Sequence, residues 1–329
     1  MILVTGGTGL VGAQLLFDLT ASGQRVRALR RETSSNAILN RIFLSDPDRL
    51  QFIEWVNGDV NDLFSLEDAF HDIQTVYHCA AYISFDPVER SKMQKINVTG
   101  TANMVNLALD KKIKQFCHLS SVAALGRSPN ELEINENNQW KTSSLNSNYA
   151  ITKYGAEREV WRGIEEGLNA VIINPSIILG PGNWLAGSSQ IFSNIYNGLP
   201  FYTNGKTGFV DVRDVSRCAI GLIQKQVSGE RFIISAENLT YKEIFFEVAD
   251  CFNKKRPSIE AKPWMANLVW RLHRVLKFIL RKKGLITKET AQNSMESWHY
   301  SNTKILSILP QEFIPIKKSI ADTCSLYSQ

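Results

Sequence analysis

Cysteine is scarce in this chain. Five thiols, at positions 79, 117, 218, 251 and 324, are scattered over 329 residues with no CxxC spacing. An odd, dispersed set of this kind excludes a disulfide framework and points to reduced thiols in a reducing compartment. Long apolar runs are missing too. No stretch of about 18 uncharged apolar residues occurs, which excludes a membrane span. The first residues carry no basic n-region or cleavage pattern, so the expectation is a chain without a secretory signal, acting in the cytoplasm. The Asn-x-Ser/Thr triplets at Asn97 and Asn238 then carry no glycan. No HExxH, paired-cysteine or clustered-carboxylate pattern offers a metal site, so none is expected.

A strong charge bias is also lacking: the net charge is +5, with 21% charged and 44% hydrophobic residues. That is ordinary for a soluble globular protein. The positive charge is local. Ten basic residues between Lys254 and Lys283 stand against one acid, Glu260, which makes the segment +9 and the remainder −4. No recognised nucleic-acid module accompanies this charge, so no nucleic-acid partner is expected. Within it, Trp264, Leu268, Leu272, Val275 and Ile279 recur at helical spacing over 264–283. Two readings stand: a cap helix with a solvated basic face, which is favoured, or a helix making peripheral contact with an anionic membrane.

What is present is a regular beat. Ile2–Val4, Val26–Leu29, Phe52–Val56, Val76–His78, Phe116–Leu119 and Ala170–Asn174 read as buried strands. Helical spacing intervenes near Gly9–Ser22, Ser34–Leu44, Asp62–Phe70, Val88–Leu109 and Asn148–Glu166. Strand–helix alternation means βαβ units and a parallel sheet, an α/β doubly wound Rossmann architecture. After Pro175 the rhythm breaks at Gly180-Pro181-Gly182 and Gly198-Leu199-Pro200. Phe209-Val210 and Phe232–Ile234 read as a return to the sheet around a helix over Val212–Gln226, and the chain from Tyr241 reads as mainly helical. The expected division is therefore 1–175 plus 209–236 as the dinucleotide half, with 176–208 plus 237–329 as a smaller, mainly helical substrate lobe.

The dinucleotide expectation rests on Thr5-Gly6-Gly7-Thr8-Gly9-Leu10-Val11-Gly12, between the first strand and first helix. It satisfies GxGxxG through Gly7, Gly9 and Gly12, and GxxGxxG through Gly6, Gly9 and Gly12. Glycines let the backbone turn tightly and approach a pyrophosphate, whose charge sits at the helix N-terminus. NAD enzymes usually close the second strand with a carboxylate for the ribose 2′-hydroxyl. Arg30 and Arg31 stand there instead, and guanidinium groups suit a 2′-phosphate, so NADP is expected over NAD. Asp59, followed by Val60, is placed to accept from an adenine amine or, alternatively, to cap the next helix.

Tyr149 and Lys153 lie four apart on one helical face. A nearby ammonium favours phenolate, so Lys153 is expected to lower the tyrosine pKa and prepare it as an acid/base. Ser121 closes the fifth strand, where a hydroxyl can polarise a reacting oxygen. His78 and His118, at strand ends, read as structural groups.

With these residues in order, the sequence resembles the extended short-chain dehydrogenase/reductase superfamily, the NAD-dependent epimerase/dehydratase family. The resemblance runs from TGGTGLVG (Thr5–Gly12) through GDV (Gly58–Val60), HCAA (His78–Ala81) and INVTGT (Ile96–Thr101). It continues with HLSS (His118–Ser121), YAITK (Tyr149–Lys153), NPSIILGPG (Asn174–Gly182) and FVDVRDV (Phe209–Val215). It implies Tyr149 as acid/base, Lys153 on the nicotinamide ribose, and Ser121 orienting the substrate oxygen. It also implies that Ala80, Ala81, Asn97, Pro175 and Ile177 sit near the cofactor, and it leaves a homodimer open. Three departures narrow the activity. Ser121 is followed by Val122-Ala123 rather than the Asp-Glu pair of family dehydratases. Thr207 stands where nucleotide-sugar epimerases commonly carry a diphosphate-clamping Arg, with Lys206 or Arg213 as substitutes. The later segments are rich in aromatics: Trp184, Phe192, Tyr196, Phe201, Tyr202, Trp264, Trp270 and Phe278. Most of these read as core and the remainder as walls for an apolar substrate. Similarity to dihydroflavonol-reductase-like members implies an NADP-dependent reductase of a hydrophobic ketone or aldehyde. The alternatives are an epimerase with tightly bound NAD and a non-catalytic NADP-binding redox sensor.

Overall fold

The computed structural model describes residues 1–84, 86–126, 133–143, 146–262 and 294–327. The basic helix read at 264–283, with Trp264, Trp270 and Phe278, lies outside the described residues. The central sheet contains β1 (Ile2–Thr5), β2 (Val26–Arg30), β3 (Ile53–Asn57), β4 (Thr75–His78) and β5 (Gln115–Leu119). After the two-residue β6 (Glu133–Ile134), it continues with β7 (Ala170–Pro175), and much later with β11 (Glu230–Ile234). All its pairings are parallel, in the order β11-β7-β5-β4-β1-β2-β3.

Both faces of this sheet are covered, which is why its central strands read as near-continuous apolar runs. Strand alternation sends Val4, Tyr77, Cys117, Val171 and Ile173 to one face. There they meet α1 (Leu10–Leu19) and α8 (Val212–Gln224). Leu3, Val76, Phe116, Ala170 and Ile172 face the other way, toward α3 (Leu63–Ala69), α5 (Gly100–Asp110) and α6 (Asn148–Glu165). The chain order reverses at β1, flanked by β2 and β4. Ligands of doubly wound sheets bind beyond the carboxyl ends of strands at this switch point.

The smaller lobe differs from expectation in one respect. Phe232–Ile234 joins the main sheet in β11, but Phe209 and Val210 do not. They lie in β10 (Lys206–Asp211), which pairs in parallel with β8 (Ile177–Leu179) and antiparallel with β12 (Glu237–Thr240). An apolar run reports burial, not which sheet completes its hydrogen bonds. Behind this second sheet sits α9 (Tyr241–Cys251) together with the C-terminal helix Ile316–Ser325, around Phe192, Phe209, Ile244 and Ile320.

The long helix expected over Val88–Leu109 is interrupted. It runs as α4 (Arg90–Met93), a π-helical turn over Gln94–Thr99, then α5. Such π turns are often found at functional sites, and this one carries Asn97.

Candidate active site

The glycine turn lies at the switch point. Gly6 adopts φ +69°, and a Cβ there would sit 2.8 Å from the Ala80 nitrogen and the Cys79 carbonyl carbon. A Cβ on Gly12 would overlap the Gly6 carbonyl. Gly9 donates to Gly6 O at 2.9 Å and caps α1 with no side-chain bond. Gly7, by contrast, faces Leu16 and Ala28. The Gly6-x-x-Gly9-x-x-Gly12 reading therefore carries the close approach, while Gly7 serves packing. Thr8, Gly9 and Leu10 are partly exposed; the Val11 side chain is buried in the core, leaving its backbone for any ligand. Backbone N–H groups and the dipole at the start of α1 suit a pyrophosphate.

At the far end of β2, Arg30 lies over the Trp55 ring at 4.8 Å, and Arg31 is exposed, its N–H directed to Ser34 Oγ. Neither guanidinium forms an ion pair with a described residue. Asp59 is not the cap of α3: that position belongs to Asp62, whose carboxylate accepts from Phe64 N. Asp59 Oδ1 instead accepts from both nitrogens of Asn61, at 2.9 and 3.0 Å. The buried Val60 side chain packs on Gly100.

The proton-handling groups converge at the ends of β5 and α6. Tyr149, half-buried, is hydrogen-bonded to the Ser121 side chain. Lys153 is 3% exposed and donates from Nζ to Leu119 O at 2.7 Å. Burial pushes Lys153 down to about 8, opposed by the nearby Cys79 and Glu157. It pushes Tyr149 up to about 12, opposed by the Ser121 bond. The expectation that Lys153 lowers the tyrosine is corrected here: the ammonium points to a strand-end carbonyl, and desolvation of the phenol dominates.

Asn97 is buried, and its side chain is fully engaged. Oδ1 accepts from Tyr82 N at 2.7 Å, while Nδ2 donates to Tyr82 O and Thr152 Oγ1, both at 3.0 Å. It pins the chain leaving β4, just after Ala80 and Ala81, against α6. His78 bridges Thr5 and Thr101 at 2.8 and 3.0 Å and stacks on His118, and burial holds both rings neutral. Both sit inside the fold, as strand-end structural groups do. Pro175 closes β7 opposite Ile234, and Ile177 opens β8 opposite Phe209.

Sequence reasoning missed Glu157, Asn174 and Arg231. The Glu157 carboxylate is 1% exposed. Its Oε1 accepts from Ser120 Oγ at 2.6 Å and from Asn174 Nδ2, and Oε2 lies 3.5 Å from Arg231 Nη1. Asn174 Nδ2 also donates to Ser121 O at 3.0 Å. The available signal was spacing: Glu157 follows Lys153 by four residues, as Lys153 follows Tyr149.

Arg213, one of the two residues read as a substitute diphosphate clamp, is engaged within the chain. It binds Asp211 through two hydrogen bonds of 2.8 and 2.7 Å and pairs with Asp322 at 2.9 Å. Thr207 is buried. Arg41, from α2 (Ala37–Ile42), donates to the carbonyls of Pro181 and Gly182 and lies 4.8 Å over the Trp184 ring. Phe192 is fully buried core, while Trp184, Phe201 and Tyr202 are partly buried and Tyr196 is exposed. No helix among the described residues is long and apolar enough to cross a membrane.

A glycine cradle at the switch point of a parallel sheet, with hydroxyl, phenol and ammonium at the strand ends beside it, defines a Rossmann-type NAD(P)-dependent enzyme. The model of the NAD dependent epimerase/dehydratase family matches residues 2–235, and the chain belongs to that family. A Synechocystis protein provisionally named dihydroflavonol 4-reductase is 29% identical over 97% of this chain and 92% of its own. Sterol demethylase protein B of Methylococcus capsulatus is 29% identical over 79% of this chain and 77% of its own. Among solved structures, gox2253 superposes with a TM-score of 0.82 at 27% identity, covering 100% of this chain and 98% of that one.

Proposed function

We propose that the protein is an NADP-dependent oxidoreductase reducing a ketone or aldehyde of a small, apolar substrate, or oxidising the matching alcohol. The observation that carries this is the Tyr149–Ser121 hydrogen bond at the end of β5, with Lys153 buried one helical turn away. When bound, the nicotinamide dinucleotide supplies the hydride. The chain's own residues then handle the oxygen. Ser121 and Tyr149 present two hydroxyls to it, and Tyr149 holds the proton it needs. A phenol pushed up to about 12 stays protonated throughout the neutral range, which suits donation during reduction. Lys153 places a cation beside the ribose, and Gly6, Gly9 and Gly12 admit the pyrophosphate.

NADP is favoured because Arg30 and Arg31 have no carboxylate partner among the described residues and are placed to take a 2′-phosphate. An apolar substrate is favoured by the aromatic character of the later segments, where Trp184 and Tyr196 cluster on Tyr327, and by the names of the dihydroflavonol and sterol relatives. The nucleotide-sugar reading loses ground, because Arg213 is already bound to Asp211 and Asp322.

The test is NADPH oxidation across apolar ketones, aldehydes and nucleotide sugars, with Tyr149→Phe alongside. The expected result is turnover on an apolar carbonyl, lost by about 10²-fold or more in the variant while NADPH still binds. Retained turnover in Tyr149→Phe, or interconversion of a nucleotide sugar without net NADPH consumption, refutes the proposal.

A further inference from the structure

Glu157 is a carboxylate buried in the middle of a catalytic half-site, and nothing derived so far uses it. Its environment is made of donors, one of them the Arg231 guanidinium. Asn174 Nδ2 touches two acceptors, Ser121 O and Glu157 Oε1, so the nitrogen must face them and Oε1 must accept. Arg231 approaches the other oxygen, and its remaining donors bind the carbonyls of Glu136 and Asn138. Burial raises the Glu157 pKa, opposed by these three donors. The division of labour between its oxygens is useful. Oε1 makes both neutral hydrogen bonds, while Oε2 makes the charged contact.

The groups around Lys153 are few. On α6 itself stand Tyr149 and Glu157; His78 belongs to β4, Cys79 follows it, and His118 belongs to β5. Burial holds both histidines neutral and the Cys79 thiol protonated near neutral pH. Glu157 is thus the anion among the groups acting on Lys153, one helical turn further along the same face.

We infer that Glu157 is a positioning residue with two separable effects: its charge keeps Lys153 protonated at working pH, and its Oε1 bonds to Ser120 and Asn174 hold the strand end that presents Ser121. This rests on the reading of Lys153 as cofactor-facing.

Two substitutions separate the effects. Glu157→Gln keeps an oxygen for Ser120 and Asn174 but removes the charge, whereas Ser120→Ala removes one bond and keeps the charge. NADPH affinity is read by fluorescence titration from pH 6.5 to 10, and Lys153 ionisation is read separately by competitive acetylation and mass spectrometry, which needs no cofactor. In the wild type, affinity should fall and acetylation should rise as pH passes about 8. In Glu157→Gln both transitions should move to lower pH, so that binding is several-fold weaker near pH 8 yet close to wild type at 6.5. Ser120→Ala should leave both transitions in place.

An acetylation transition that stays put in Glu157→Gln overturns the inference, as does a loss of affinity equal at every pH. If acetylation moves but NADPH binding has no alkaline limb in any variant, Glu157 still tunes Lys153, and it is the cofactor-facing assignment that fails. Should Glu157→Gln not fold, Glu157→Asp carries the test. It retains the charge, so its acetylation transition must remain near that of the wild type, and displacement to lower pH refutes the charge effect.

Discussion

Replacing Lys153 with Met should make the fold more stable near neutral pH while removing its chemistry. The folded-state pKa of Lys153 is about 8 against an ordinary 10.5, because burial outweighs the surroundings that favour the ammonium. Between those two values the unfolded chain binds more protons than the folded one, so the lysine's contribution to stability rises with pH through that window. Below pH 8 the charged form is disfavoured in full, by about 3 kcal/mol at 1.36 kcal/mol per pKa unit. Methionine has similar length and no charge to desolvate, but it forfeits the bond to Leu119 O, worth about 1 kcal/mol. The net expectation at pH 7 is a variant more stable by about 2 kcal/mol, with the advantage shrinking as pH rises from 8 to 10.5. Urea unfolding of both proteins at pH 7, 8, 9 and 10 reads this directly. A stability difference that does not change with pH would refute the reasoning, because a desolvated ammonium cannot produce a flat profile.

The other expectations concern the cofactor side. Gly12→Ala should destabilise by about 2 kcal/mol, since its Cβ would run into backbone, the Gly6 carbonyl and the Gly7 Cα; Gly9→Ala, whose Cβ would stand 3.3 Å from the Gly6 oxygen, should cost much less. Thermal unfolding of the pair tests this, and equal losses would sink it. Arg30→Ala with Arg31→Ala should weaken NADP binding on the order of tenfold to a hundredfold and leave NAD nearly unchanged. Parallel titration of both cofactors reads it, and an equal loss for both would refute the assignment of Arg30 and Arg31 to the 2′-phosphate.

The sequence was most legible where one physical signal determines one structural outcome. Strand–helix alternation yielded the order of βαβ units, because parallel strands buried on both faces have little freedom in their pattern. Gly6 and Gly12 are legible because only glycine tolerates their close backbone contacts. Other features depended on long-range pairing. Phe209 and Val210 are as apolar as Phe232 and Ile233, yet they belong to different sheets, and nothing local distinguishes them. Asp59 and Asp62 both suit a helix cap by residue type, and only the structure shows that Asp62 accepts from Phe64 N. The pKa of Tyr149 is not legible, because helical spacing gives proximity to Lys153 but not the depth of burial. Arg213 looked free in the sequence; its partner Asp322 lies over a hundred residues away.

The same dependence on distant contacts bears on how the smaller lobe is held against the glycine turn. The loop between β8 and the helix Gln190–Tyr196 begins at Gly180, directly against the side chain of Leu10, the first residue of α1. Arg41 grips the next two carbonyls of that loop from the cofactor half, and its guanidinium covers Trp184. Trp184 in turn packs on Tyr327, beyond the C-terminal helix, whose Asp322 holds Arg213 at the start of α8. A chain of buried and half-buried contacts thus runs from the glycine turn to the smaller lobe and back to α8. Packed contacts of this kind shift between discrete arrangements rather than deform continuously. The position of that loop relative to the glycine turn is therefore set by residues scattered along the chain, a long-range dependence that short motifs do not record.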